Sequence, residues 1–132
     1  MPQRSIEECN AALDARNTLL NGGTVEIRTG AAADIDSAAT GTVQVTFALP
    51  ATAFGAASNR ISTTSGVTPV TATNANAGSQ VHYVAKDSGG NVRRNGTAGT
   101  SGTDMVLNTL TWSTGDDVTI TGWTNSELKG SN

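Results

Sequence analysis

With one histidine and one cysteine, this chain can do little nucleophilic chemistry. Any Ser-His-Asp or Cys-His arrangement must pass through His82, which falls in the alternating stretch Gln80-Val-His-Tyr-Val-Ala-Lys86. No nucleophile motif accompanies it, so a surface or edge imidazole on the face opposite Tyr83 is the expected state. Cys9 has no second cysteine for an intrachain disulfide and no partner at metal-ligand spacing. Set between Ile6 and Leu13 at helical spacing, it reads as a small apolar group on a buried helix face.

The acidic residues are scattered among turns. Asp34-Ile-Asp36 lacks the dense oxygen spacing of a calcium loop and reads as a turn former that accepts backbone amides. Asp104, Asp116 and Asp117 also sit in loops, and no metal or cofactor is expected. The glycine pairs 22–23 and 89–90, and the stretch Gly99 to Gly102, do not form a phosphate loop. None stands between an apolar strand and a helix with a following Lys-Ser/Thr. Trp112 and Trp123 are expected to fill the core. The sharper alternative is an exposed stacking surface for a glycan, with Tyr83 as a third ring. Arg93-Arg94 reads as a charged edge that resists stray strand pairing, or as a contact for an acidic partner patch.

Bulk properties narrow the classes further. Gly, Ala, Ser, Thr and Asn make up more than half of the 132 residues, and charged residues are 14%, against ~25% in ordinary domains. Such a composition suits short strands and tight turns. Eight basic and eleven acidic residues give a net charge of −3 with no basic cluster beyond Arg93-Arg94, which argues against nucleic acid. No apolar run is long enough to span a membrane. No charged segment followed by an apolar run opens the chain, so no signal peptide and synthesis in a cytoplasm are expected. With no nucleophile, metal or phosphate motif, neither an enzyme nor a small-molecule substrate is expected.

The elements follow from periodicity. Residues 1–5 read as an arm. Ser5-Ile-Glu-Glu8 has the form of a capping box, and Ile6, Cys9, Leu13 and Leu20 keep a three-to-four spacing, predicting a helix over 6–20. Gly41 to Pro50 is the clearest strand signal: Val43, Val45, Phe47 and Leu49 alternate with Thr42, Gln44, Thr46 and Ala48. Val25 and Ile27 alternate likewise, Val81, Tyr83 and Ala85 share a face, and Val118 and Ile120 close the pattern. Phe54 reads as a plug beyond Pro50. Pro69 confines 67–74 to an edge strand at best, and 74–79 reads as a turn cluster. The sum is one domain over 6–124, mainly β: a β-sandwich, jelly-roll-like, with an N-terminal helix and a polar tail at 125–132. The expected core is Val25, Ile27, Val43, Val45, Phe47, Leu49, Phe54, Val81, Tyr83, Val118 and Ile120.

Several segments taken together carry a resemblance. They are Ala11-Ala-Leu-Asp-Ala15, Leu19-Leu-Asn-Gly-Gly-Thr-Val-Glu-Ile-Arg-Thr-Gly30 and Ala39-Thr-Gly-Thr-Val43 in the first third. Further on are Phe47-Ala-Leu-Pro-Ala-Thr-Ala-Phe-Gly-Ala-Ala-Ser-Asn59, Gly96-Thr-Ala-Gly-Thr-Ser-Gly-Thr-Asp104 and Val106-Leu-Asn108. Their order, over roughly residues 9 to 124, resembles a family of small virion structural proteins of tailed bacteriophages. His82-Tyr83 and Arg93-Arg94 are more polar than that pattern. The resemblance implies a capsid decoration (cement) or head-fibre-like protein on the capsid surface of a virion. It also implies a jelly-roll-like sandwich, the major capsid protein as partner and self-association.

Binding to a symmetric shell favours a trimer. The contact candidates are Arg4, Ile6, Glu7 and Leu13 on the arm and helix, with Arg93 and Arg94 on the hairpin. Two alternatives stand beside it: a receptor- or glycan-binding module of a head or tail fibre, and a tail or neck component.

Overall fold

The computed structural model describes residues 3–126. Among these residues one helix, α1 (Ile6–Thr18), precedes eleven strands. Six are two or three residues long: β3 (Ile61–Thr63), β4 (Val70–Thr71), β5 (Asn76–Ala77), β8 (Met105–Leu107), β9 (Thr111–Trp112) and β10 (Asp117–Val118). The longer ones are β1 (Thr24–Thr29), β2 (Val43–Ala48), β6 (Val81–Lys86), β7 (Val92–Gly99) and β11 (Ile120–Ser126). The chain is mainly β with one N-terminal helix, as its periodicity predicts.

Seven strands form one large curled sheet in the order β2-β1-β6-β7-β8-β11-β3. All its pairs are antiparallel except the short β7–β8 pair, where Ala98 lies beside Met105. Two ribbons, β10-β4 and β5-β9, add to the fold, which is sandwich-like. The register sets the core. Val25 faces Phe47 and Ala85, and Ile27 faces Val45 and Tyr83, so one side of β2, β1 and β6 is continuous apolar surface. Trp123 on β11 completes it, edge-on to Phe54 (centroids 4.8 Å) and Tyr83 (5.2 Å), an arrangement the aromatic quadrupole favours. Trp112 is buried too, its Nε1 donating to the Asn74 carbonyl at 2.9 Å.

Every expected core residue is buried except Val43. A register shift between Ile27 and Arg28 carries the pairing from Val45 to Val43. It leaves Val43 half-buried, while Gln44 is buried. The Gln44 carbonyl accepts from Thr73 and Asn74, its Nε2 donates to the Ala75 carbonyl (3.0 Å), and Asn74 Nδ2 donates to the Val43 carbonyl. The 74–79 segment, read as a turn cluster, thus contains β5, and its start together with Thr73 protects the β2 edge, as sheet edges require.

The other face of the sheet is covered in part as well. The connection from Gly30 to Thr42 crosses the outer face of β1, β6 and β7. Its anchors are Thr42 N–H to Thr29 Oγ1 (2.9 Å), Arg28 Nη1 to the Gly41 carbonyl (3.3 Å) and Asn95 Nδ2 to the Ala33 carbonyl (2.9 Å). Consequently all of Val81 to Ala85 is buried. The surface reading of His82 is corrected here: it is 2% exposed, and Nδ1 lies 2.9 Å from the Gly30 carbonyl. A carbonyl only accepts, so Nδ1 carries the proton.

The ends differ from the sequence reading. The helix stops at Thr18, and Leu19 and Leu20 form the turn before Gly22 (φ +68°). Asn125 and Ser126 belong to β11 rather than to a tail; the rest of the expected tail, 127–132, lies outside the described residues, as do residues 1 and 2 of the arm.

Candidate interaction surface and polar cleft

Two places present groups to a neighbour. The first is the corner where the arm, the start of α1 and the 58–61 turn meet. Ser5 caps the helix, its Oγ accepting from Glu8 N–H at 3.1 Å, and Glu7 and Glu8 occupy the first turn, where carboxylates suit the helix dipole. Cys9, Leu13 and Asn17 recur every four residues and are the buried side of the helix.

Side chains on the helix then hold the neighbouring loop. Asn10 Oδ1 accepts from Arg60 N–H (2.9 Å), Asp14 Oδ1 from Ala57 N–H (2.7 Å), and Arg60 Nη2 donates to the Arg4 carbonyl (3.1 Å). These bonds stabilise an unusual turn. Asn59 and Arg60 both have positive φ (51° and 64°), between Ser58 and Ile61, which exchange backbone bonds of 2.9 and 3.0 Å. That is the mirror-image geometry of a two-residue hairpin, usually reserved for Asn and Gly, and a left-handed non-glycine costs about 1–3 kcal/mol.

The same fastening leaves Ile6 46% and Ile61 49% exposed, with Glu7 beside them in solvent. Of the four contact candidates on the arm and helix, Ile6 and Glu7 are exposed. Arg4 is half-buried and tied through its carbonyl. Leu13 is corrected: it is fully buried, because it shares the docked side with Cys9 and Asn17.

Arg93 and Arg94 do not form one charged patch. Adjacent residues of a strand point to opposite faces. Arg93 turns outward and pairs with Asp87 at 2.9 Å. Arg94 turns inward beside Ala85, stacked 5.7 Å over the Phe54 ring. Its Nη atoms reach only Asn17 Oδ1, at 3.4 and 3.5 Å, and it pairs with no carboxylate among the described residues. Burial lowers the Arg94 pKa from the usual guanidinium range, with Tyr83 opposing and Arg16 adding to the effect.

Arg94 lines the second place, a polar cleft of about 380 Å³. Tyr83, Asn95, Asp104, Thr124 and Asn125 line it too, and Arg16 and Ser126 close one side through an Arg16 Nη2 bond to the Ser126 carbonyl (3.3 Å). Gly96 makes the cleft possible. A Cβ there would stand 2.6 Å from Asp104 Oδ2 and 2.9 Å from the Tyr83 ring. Asp104 is fixed by Thr97, whose N–H (3.0 Å) and Oγ1 (3.2 Å) donate to Oδ2. Burial pushes the Tyr83 phenol up, against the opposing Arg94 charge. Sequence reasoning missed this cleft: its residues come from four elements and the loop that carries Asp104, and no local spacing joins them. It also missed Asn17, a buried helix residue whose Oδ1 accepts from both Arg94 and Asn125 Nδ2 (3.2 Å).

The remaining candidates are structural. Trp112 and Trp123 are 3% and 1% exposed, so neither indole presents a stacking face. Asp34 turns its own loop, Oδ2 accepting from Asp36 N–H at 3.2 Å. Among the described residues no group of three or more His, Cys, Asp or Glu side chains could hold a metal ion. No family model, no curated protein and no solved structure matches this chain.

Proposed function

We propose that this chain is a non-enzymatic structural protein of a bacteriophage virion, and more specifically a capsid decoration protein. It would bind the outer surface of the shell and bridge subunits of the major capsid protein. The carrying observation is the corner built from the arm, the helix start and the Asn59-Arg60 turn. It holds a strained turn in place with three side-chain bonds and leaves two isoleucines in solvent. Large aliphatic side chains at such a fixed corner suit burial against a neighbour. Each isoleucine is already about half covered, so covering the rest is worth about 1 kcal/mol, and weak contacts repeated over a shell add through avidity. The resemblance of segments along the chain to small phage virion proteins points the same way, and three-fold positions of a shell favour a trimer.

The test is a map of the virion whose genome encodes the chain, together with heat stability of virions carrying I6D/I61D. The expected result is density for the protein on the outer shell, lost or weakened in the double variant, with shells that open at lower temperature. No density on the head, or unchanged heat stability after deletion of the protein, would remove the reading. Light scattering on the purified chain checks the trimer.

A further inference from the structure

We infer that the cleft between α1, β7 and β11 binds an acidic saccharide, one carboxylate on a hydroxyl-bearing ring, with Arg94 as the carboxylate anchor. This does not depend on the role proposed above. Three observations carry it.

First, Arg94 is a partly buried cation whose only hydrogen bonds among the described residues go to one amide oxygen, at long range. A guanidinium has five donors in a fork that matches a carboxylate, and a desolvated charge without a counter-ion is costly. Cavity-lining groups in that state suit a ligand that supplies the missing charge. Second, the cleft is the right size and polarity. At about 380 Å³ it falls in the small-molecule range. Beside Arg94 the lining holds a second cation, Arg16, bonded to the Ser126 carbonyl, while Asn95, Thr124, Asn125 and Tyr83 offer neutral donors and acceptors. Third, Asp104 shares the lining. Its carboxylate accepts hydroxyl donors and repels a second negative charge, which favours a monoanion with hydroxyls over a phosphate or sulfate. Gly96 is the residue that lets Tyr83 and Asp104 approach there.

The full chain, labelled with 15N, is titrated with glucuronate and with N-acetylneuraminate, then with methyl glucoside and inorganic phosphate. Amide shifts at Asn95, Thr124 and Asn125 are followed. Saturable shifts are expected with one or both acidic sugars, with methyl glucoside and phosphate weaker by about tenfold or more. R94Q should lose the binding, and R94K should weaken it while keeping the charge. Y83F, which removes only a hydroxyl, serves as a second variant should R94Q fail to fold; it should weaken binding less. Equal shifts with methyl glucoside or phosphate, no saturation with either acid, or R94K and Y83F both indistinguishable from wild type would overturn the assignment.

Discussion

The two faces of the β1–β6–β7 layer are held by different forces. On the inner face Val25, Ile27, Tyr83 and Phe47 pack with Trp123 and Phe54, and burial of apolar area does the work. On the outer face the same strands carry His82 together with Glu26, Arg28 and Lys86, which form ion pairs among themselves, and the cover is a small-residue loop anchored by hydrogen bonds. Glu26 Oε1 takes Arg28 Nη2 at 2.9 Å and Lys86 Nζ at 3.1 Å. The inner face therefore determines whether the chain folds. The outer face determines whether one loop stays down.

Three substitutions separate the two. Trp123→Ala should have the largest effect. It empties the centre of the inner face, where full removal of a large aromatic costs about 3–5 kcal/mol; urea unfolding followed by far-UV dichroism reads it. Gly41→Ala should come next. Gly41 has φ +78°, and a Cβ there would run into the Thr29 carbonyl. The expected loss is about 2 kcal/mol or more, confined to the outer cover: faster amide exchange at Thr42 with tryptophan emission unchanged. A red-shifted emission would show that the two faces are not separable.

Glu26→Gln is the smallest. Burial pushes the Glu26 carboxyl up, but hydrogen bonds and charge from Arg28 and Lys86 outweigh it, and its pKa lies below the ordinary value. A carboxylate depressed in the folded state contributes stability above its unfolded pKa and loses it as pH falls through the folded one. The variant should therefore be weaker by about 1 kcal/mol near neutral pH. The gap to wild type should close in acid, as urea midpoints across pH would show. A gap that persists below the folded pKa would assign the effect to packing instead.

The inner face was legible because a strand's period of two is written in adjacent residues: Val45, Phe47 and Leu49, or Val25 and Ile27, are recognisable without their partners. Ser5 and Glu8 announced the helix start for the same reason. The failures at Val43, His82 and Leu13 each involve a second element. Val43 leaves the core because the register shifts at its pairing with β1. His82 is buried because a loop some fifty residues earlier crosses over it (the Gly30 carbonyl is 52 positions away). Leu13 faced a choice between core and partner that helical spacing alone does not resolve.

Local periodicity and composition by themselves determined a mainly β chain with one capped helix, its apolar strand faces and the lack of a nucleophile motif around its single histidine. Only the tertiary structure decided which polar residues are buried and what they meet. Arg93 and Arg94 are neighbours in sequence, yet the pleat sends one to solvent with Asp87 and the other over Phe54 beside a cleft. That difference depends on which helix, strand and loop close over each face, and such contacts between distant segments leave no local pattern in the chain.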